Sequence, residues 1–301
     1  MEKMLAEGVT ERERNEWDAN HNRGEHLATV FGWNKPFSKW PSLTLLHQRL
    51  KKEFAAYASQ EEFIRLVNFA NAMVVYYFPG VAIRFQNKVE EWIKRSNGEK
   101  VPHFGYFDNY CWNACFRDQP RVQCKPHTDH KNVVGVCVVI VYEKPNCNFD
   151  HKMRSWLVIW DAGIIVEAPP WTALIYPSSL FLHFNIDIQD IDILTLDGDD
   201  VPSLDEKEKW QQSSKEGRGS IVFFNQASMF HIETGEVTLT EAKAEGLPSE
   251  RDFSADFTYL FPSAHVSSTF NTTSTSATTA STSTSATSAT ITTAPLLAKI
   301  D

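Results

Sequence analysis

The sequence predicts an α+β protein: a double-stranded β-helix core of the jelly-roll, cupin-like kind, with a helical N-terminal layer and disordered termini. Three observations predict it. Apolar residues recur at helical spacing through the first third of the chain, short β-branched runs separated by turn residues fill the middle, and a His-x-Asp pair is followed at long range by a second histidine.

Residues 1–35 are polar and charged, which suits a loosely ordered extension with a short helix around Glu11 to Asn20. From Pro41-Ser42 to about Tyr77, Leu45, Leu46, Leu50, Phe54, Phe63, Leu66, Val67 and Ala70 keep a helical period, and Pro79-Gly80 ends the run. A second amphipathic segment, Val81 to Ser96, sets Val81, Ile83, Phe85, Val89, Trp92 and Ile93 among charges before Asn97-Gly98. A helical region over 36–100 is therefore expected.

From about Gly105 the pattern changes to runs at Val133–Tyr142, Trp156–Trp160, Ile164–Ala168, Thr172–Tyr176, Phe181–Ile186 and Ser220–Phe224. Asp161-Ala162-Gly163 and Pro169-Pro170-Trp171 are connections of the kind that join antiparallel strands. This is a β core over 101–262. Trp156, Trp160 and Trp171 are expected to pack within it. Between 263 and 301, Ser, Thr and Ala repeats leave too little apolar surface to fold, and a disordered tail is expected.

With 42% hydrophobic residues, 20 Phe and 9 Trp, the 301-residue chain has ample material for a core. No stretch approaches the roughly 20 apolar residues that span a bilayer, and no signal-peptide core opens the chain, so an intracellular location is expected. The five cysteines then read as thiols. A net charge of −9 argues against a nucleic-acid binder, yet eight acidic and no basic residues lie between Asp187 and Glu206, leaving about −1 elsewhere. The acidity belongs to an insert over 187–216, read as a solvated loop.

His127-Thr128-Asp129 and, after 53 intervening residues, His183 supply two imidazoles and a carboxylate. On one face of an iron(II) ion such a set leaves three coordination positions free for cosubstrate and oxygen. In a double-stranded β-helix the pair ends an early strand and the second histidine lies on a late one. The far carboxylate of 2-oxoglutarate would need a buried cation, and Arg218, opening the run Ser220–Phe224, offers one with Ser220 beside it. A surface salt bridge is the alternative for Arg218, and a satisfied core histidine for either imidazole. Cys111, Cys115 and Cys124 with His103 match no standard zinc spacing. His130 and His151 read as loop residues.

Four segments together resemble the core of TET/JBP-type 2-oxoglutarate dioxygenases, nearest the expanded fungal, basidiomycete-type branch. They are His127-Thr128-Asp129-His130-Lys131-Asn132, Trp156–Asp161, Glu167–Ser178 and Arg218–Phe230, in order within about 101–245. The resemblance implies a double-stranded β-helix that oxidises the methyl group of a flipped-out 5-methylpyrimidine in nucleic acid. By position it implies that His127, Asp129 and His183 bind Fe(II), that Arg218 and Ser220 contact 2-oxoglutarate, and that O2 is the oxidant. Asn132 then falls where an asparagine hydrogen-bonds the base and Phe224 where an aromatic ring stacks on it. Gln226 stands in place of a base-contacting histidine, Phe224 lacks a hydroxyl, and the cysteine-rich module that flanks animal TET cores is missing. Base identity, 5-methylcytosine or thymine, is thereby left open, and a DNA substrate would imply a nuclear location. No protein partner and no membrane association are inferred. The rival readings are hydroxylation of a protein side chain or small metabolite, and a non-catalytic binding module with a vestigial iron site.

Overall fold

The computed structural model describes residues 8–13, 23–24, 26–35, 40–115, 120–188 and 216–230, with Met4, Asn15 and Leu260. The strands are β1 (Leu27–Asn34), β2 (Ser42–Leu43), β3 (Asn109–Ala114), β4 (Cys137–Glu143), β5 (Trp156–Ile159), β6 (Ile164–Val166), β7 (Ala173–Tyr176), β8 (His183–Ile186) and β9 (Arg218–Phe224). The helices are α1 (Leu45–Arg49), α2 (Lys51–Ala58), α3 (Glu61–Tyr77) and α4 (Pro79–Arg95). A six-stranded sheet runs in the order β2-β1-β3-β9-β4-β7 and a three-stranded sheet in the order β6-β5-β8. All of the strand pairings are antiparallel.

The helices form where the period says they should. In α3, Phe63, Val67, Ala70 and Val74 bury one stripe, and Glu61 and Glu62 in the first turn suit the positive end of the helix dipole. Pro79 at the start of α4 costs no hydrogen bond, and Lys94 and Arg95 complement its C-terminal end. Leu45 falls off the apolar stripe and is 81% exposed, because the first run breaks into three helices and not one.

The six-stranded sheet is covered on both faces, and the two-residue period of each strand sorts its side chains between them. Tyr110 and Trp112 on β3, Val138 and Ile140 on β4, and Ile221 and Phe223 on β9 join the core that the helices close with Phe54, Phe63, Val74 and Phe85. Cys137, Tyr176, Val139, Leu174, Val222 and Phe224 point the other way and meet Leu157 and Ile159 of the small sheet. The result is three layers: helices, large sheet, small sheet. Arg218 and Ser220 share the even-numbered register of Val222 and Phe224, which aims them between the two sheets.

Several expectations need correction. Residues 27–34 are not part of a polar extension: they are a strand, paired from Leu27↔Ala114 to Gly32↔Asn109, with Phe31 fully buried. The partner strand lies far along the chain, so nothing local announces the pairing. At Gly32 (φ 122°) a Cβ would lie 1.9 Å from the Asp108 carbonyl oxygen, so only glycine fits. Upstream, residues 11–13 are helical and begin with a capping box, Glu13 N–H donating to Thr10 Oγ1 and Thr10 N–H to Glu13 Oε2. Glu16–Asn20 of the expected helix lie outside the described residues.

Asp161-Ala162-Gly163 does turn β5 into β6, with Gly163 left-handed. Pro169-Pro170-Trp171 instead carries the chain from the small sheet to the large one. Trp160 and Trp171 are 64% and 55% exposed and not core residues: Leu157 and Ile159 take the inward side of β5, which turns Trp160 outward. The ends of the acidic insert are buried as well. Asp187 and Glu216 both pair with Arg121, and Arg154 adds a second bridge to Asp187 at 2.9 Å. The interior of the insert (189–215) and the expected tail lie outside the described residues.

Candidate metal centre and its pocket

His127 and His183 come together because an isolated antiparallel bridge joins the loop holding His127 to the start of β8, with His127 N–H donating to His183 O at 3.1 Å and the reverse at 2.9 Å. Their ring centroids are 4.3 Å apart. Asp129 follows, its N–H donating to Ser178 O at 2.9 Å. One ligand atom from each of the three residues lies within 4.8 Å of the others, the only such group among the described residues. The 53 residues that separate Asp129 from His183 are spent on the hairpin β5–β6 and on β4 and β7.

The imidazoles are preset for a metal. His127 Nδ1 lies 2.7 Å from Lys125 O and His183 Nδ1 lies 2.9 Å from Phe181 O. A carbonyl only accepts, so each Nδ1 carries a proton, and Nε2 is the nitrogen that each ring, when neutral, offers to a metal. Burial also holds the His127 pKa below the usual imidazole value, favouring the neutral ring that a metal requires. Asp129 pairs with Arg23 at 2.7 Å. Two imidazole nitrogens and a carboxylate oxygen are the donor set of a facial-triad iron site, and they fit that ion.

A cavity of about 300 Å³ opens beside the three residues, between the sheets. Arg218, Ser220, Asn132 and Phe224 line it, as do His127, Asp129 and His183. Arg218 is 4% exposed; its Nη1 donates to Val122 O, and its Nε has no hydrogen-bond partner. No carboxylate among the described residues pairs with it, whereas neighbouring Arg121 is neutralised by Asp187 and Glu216. Burial accordingly draws the Arg218 pKa down. Ser220 Oγ accepts from Asn113 Nδ2 at 3.1 Å, which leaves its own proton for a ligand.

Asn132 and Gln226 face each other in a backbone bridge, and Asn132 Nδ2 reaches Ser178 Oγ at 3.4 Å. Gln226 does not line the cavity; it stands next to Asn132 at the edge. His130 is exposed and His151 pairs with Glu167 at 2.6 Å. The cysteines and His103 do not assemble: His103 stacks on Trp33 and lies tilted against His47, and Cys115 donates to Arg218 O.

Sequence reasoning missed Arg23, Asn113 and Tyr176 as lining residues. Tyr176 packs edge-on against His183 at 5.2 Å, and burial pushes its hydroxyl pKa up, so it stays a neutral donor. The signal for Asn113 was its two-residue offset from Cys111 on β3, opposite Ser220. Arg23 had no local signal.

No helix of the described residues is long and apolar enough to cross a membrane. No family model matches the chain, and no curated protein is similar to it in sequence. Among solved structures, the fold is similar to one described as NgTET1 in complex with 5mC DNA, with a TM-score of 0.44 and 12% identity over 76% of this chain and 69% of that one.

Proposed function

We propose that this chain is an Fe(II)- and 2-oxoglutarate-dependent dioxygenase with a double-stranded β-helix core, which hydroxylates the methyl group of a 5-methylpyrimidine in nucleic acid. One observation carries the reading. A His127/Asp129/His183 donor set and a buried guanidinium, Arg218, that has no anionic partner among the described residues face the same cavity. An uncompensated buried cation is costly, and a carboxylate ligand relieves that cost. With its metal, cosubstrate and O2 bound, such a site supplies the oxidising power to break a C–H bond, coupled to decarboxylation of 2-oxoglutarate to succinate.

The protein's own residues bind, orient and exclude water. Arg218 takes the far carboxylate of 2-oxoglutarate, and Ser220 donates its free hydroxyl proton to the same group. Tyr176 walls the cavity behind His183 and keeps that ring in place. At the open side Asn132 offers an amide to the polar edge of a base and Phe224 offers a ring face, a combination suited to an extruded nucleotide. Gln226, whose backbone bridges to Asn132 at the edge, carries a side-chain amide with both a donor and an acceptor, which leaves the base 5-methylcytosine or thymine.

A second reading keeps the chemistry and replaces the base by a protein side chain or small metabolite. It is favoured by the charge of about −1 outside residues 187–206 and by Gln226 lying off the cavity wall.

The test is succinate formation by the purified, iron-loaded protein with 2-oxoglutarate, with and without a 5-methylcytosine duplex. Stimulation by the duplex supports the base-oxidation reading. Turnover indifferent to any methylated DNA or RNA moves the choice to the second reading. No turnover with iron bound would leave a non-catalytic module. In the active case, His127→Ala/Asp129→Ala should lower turnover by more than the roughly 10–100-fold that loss of an outer-shell partner costs, with an unchanged circular dichroism spectrum.

A further inference from the structure

A buried ion pair lies directly behind the Asn132–Gln226 edge. Lys88 on α4 and Asp108, just before β3, meet at 2.7 Å, with side chains 2% and 1% exposed. Burial draws the Lys88 pKa down and pushes the Asp108 pKa up, and each charge opposes the other's shift. Desolvation offsets most of the attraction in such a pair, so apolar side chains of similar volume serve stability as well or better.

Both partners converge on one amide. Asn225 Oδ1 accepts from Lys88 Nζ and from the Asp108 N–H, each at 2.8 Å, and Asn225 Nδ2 donates to Tyr106 O at 3.1 Å. With both lone pairs and one amide proton used, the side chain has a single orientation. The Asn225 carbonyl then accepts from Val133 N–H at 2.9 Å, and two residues on Ala227 N–H donates to Lys131 O at 2.9 Å. Phe224 and Gln226 flank Asn225 in the chain.

We propose that Lys88, Asp108 and Asn225 are positioning residues: they fix the register of 224–227 against 131–133, and so hold Phe224 and Gln226 opposite Asn132 for one shape of substrate. This rests on the reading that those three residues meet substrate. The charge pair supplies direction that an apolar core would not. The Asp108 carboxylate holds Nζ in place, and Nζ together with the Asp108 N–H admits one placement of the amide, whereas packed methylenes admit several. Helix α4, outside the β core, thereby sets the aim of the site's edge.

The test substitutes Lys88→Met and Asp108→Leu together in the full chain and follows hydrogen exchange in peptides covering 130–134 and 224–230. Exchange at the Val133 and Ala227 amides should accelerate about tenfold, with the β3–β9 and β4–β9 ladders unchanged. Unchanged exchange at the edge, or acceleration throughout the molecule, overturns the proposal. Should the double variant fail to fold, the isosteric Asn225→Asp, which loses the donor to Tyr106 O, decides the matter by the same local acceleration or its absence.

In parallel, KM for a methylated oligonucleotide should rise about tenfold, with kcat within twofold of the parent. An unchanged KM beside a faster-exchanging edge overturns the link to substrate. If the parent protein oxidises no nucleic acid, the substrate reading fails by itself, and hydrogen exchange still decides whether the three residues hold the edge.

Discussion

The guanidinium of Arg218 makes the strongest physical statement about the pocket. It is buried, carries an unpaired Nε, and sits one β-repeat from Ser220 on the strand face that lines the cavity. Removing one member of a buried, hydrogen-bonded charge pair typically costs about 2–5 kcal/mol. Arg218→Gln should therefore raise the 2-oxoglutarate KM by roughly 30-fold or more, with metal affinity, read by Mn(II) titration, left within about threefold. A KM that does not move would remove Arg218 from cosubstrate binding. The imidazoles are held differently. Their Nδ1 partners are backbone carbonyls two residues upstream, so no substitution of a partner side chain removes them.

Between elements, α1 docks on β1 through a histidine. His47 is 2% exposed, its Nδ1 accepts from Gly32 N–H at 3.0 Å, and Phe31, Phe54 and His103 surround the ring. Burial first, then the neighbouring charges of His103 and Lys51, lower its pKa from 6.5 to about 4. Protonation would turn the acceptor into a donor facing an N–H. The unfolded chain binds this proton from pH 6.5 downward and the folded chain only near 4, so stability rises with pH across that window. The contribution is complete above 6.5, is lost as pH falls to about 4, and amounts to something on the order of 3 kcal/mol. Thermal unfolding of the parent and of His47→Leu should show it as a difference in slope between pH 4 and 6.5; parallel curves would sink the assignment. Such a variant must still tolerate an unbonded Gly32 N–H.

Across the whole molecule, the long excursion between β8 and β9 begins and ends on one side chain. Arg121 holds Asp187, two residues past pocket-lining Asn185, and Glu216, two residues before Arg218. Arg121→Met leaves two buried carboxylates short of a cation, and breaking buried pairs of this kind costs about 3–5 kcal/mol. The expected result is a matching loss in denaturant-derived stability. A loss below about 1 kcal/mol would mean that the two carboxylates find other partners, with Arg154 already beside Asp187. The clamp also explains why the acidic segment, although polar by composition, has buried ends: Asp187 and Glu216 meet one guanidinium away from solvent.

The sequence by itself determined what local pattern can determine. Helical periods located α3 and α4, β-branched runs located β4 to β9, and residue chemistry singled out His127, Asp129, His183, Arg218 and Ser220, which converge on one cavity. On β9 the two-residue period then puts Arg218, Ser220 and Phe224 on one face. Tertiary structure alone decided the rest. β1 is a strand because β3 lies beside it, Trp160 is exposed because Leu157 and Ile159 took the inner face, and Gln226 stands at the edge because Asn132 pairs with it. Arg23 reaches Asp129, and Lys88 reaches Asn225 across 137 positions, through contacts with no local trace. Periodicity and residue chemistry are properties of neighbours along the chain. Cross-strand register and the partner of a buried charge are set by which distant segments exclude water together, and that is settled only when the layers close.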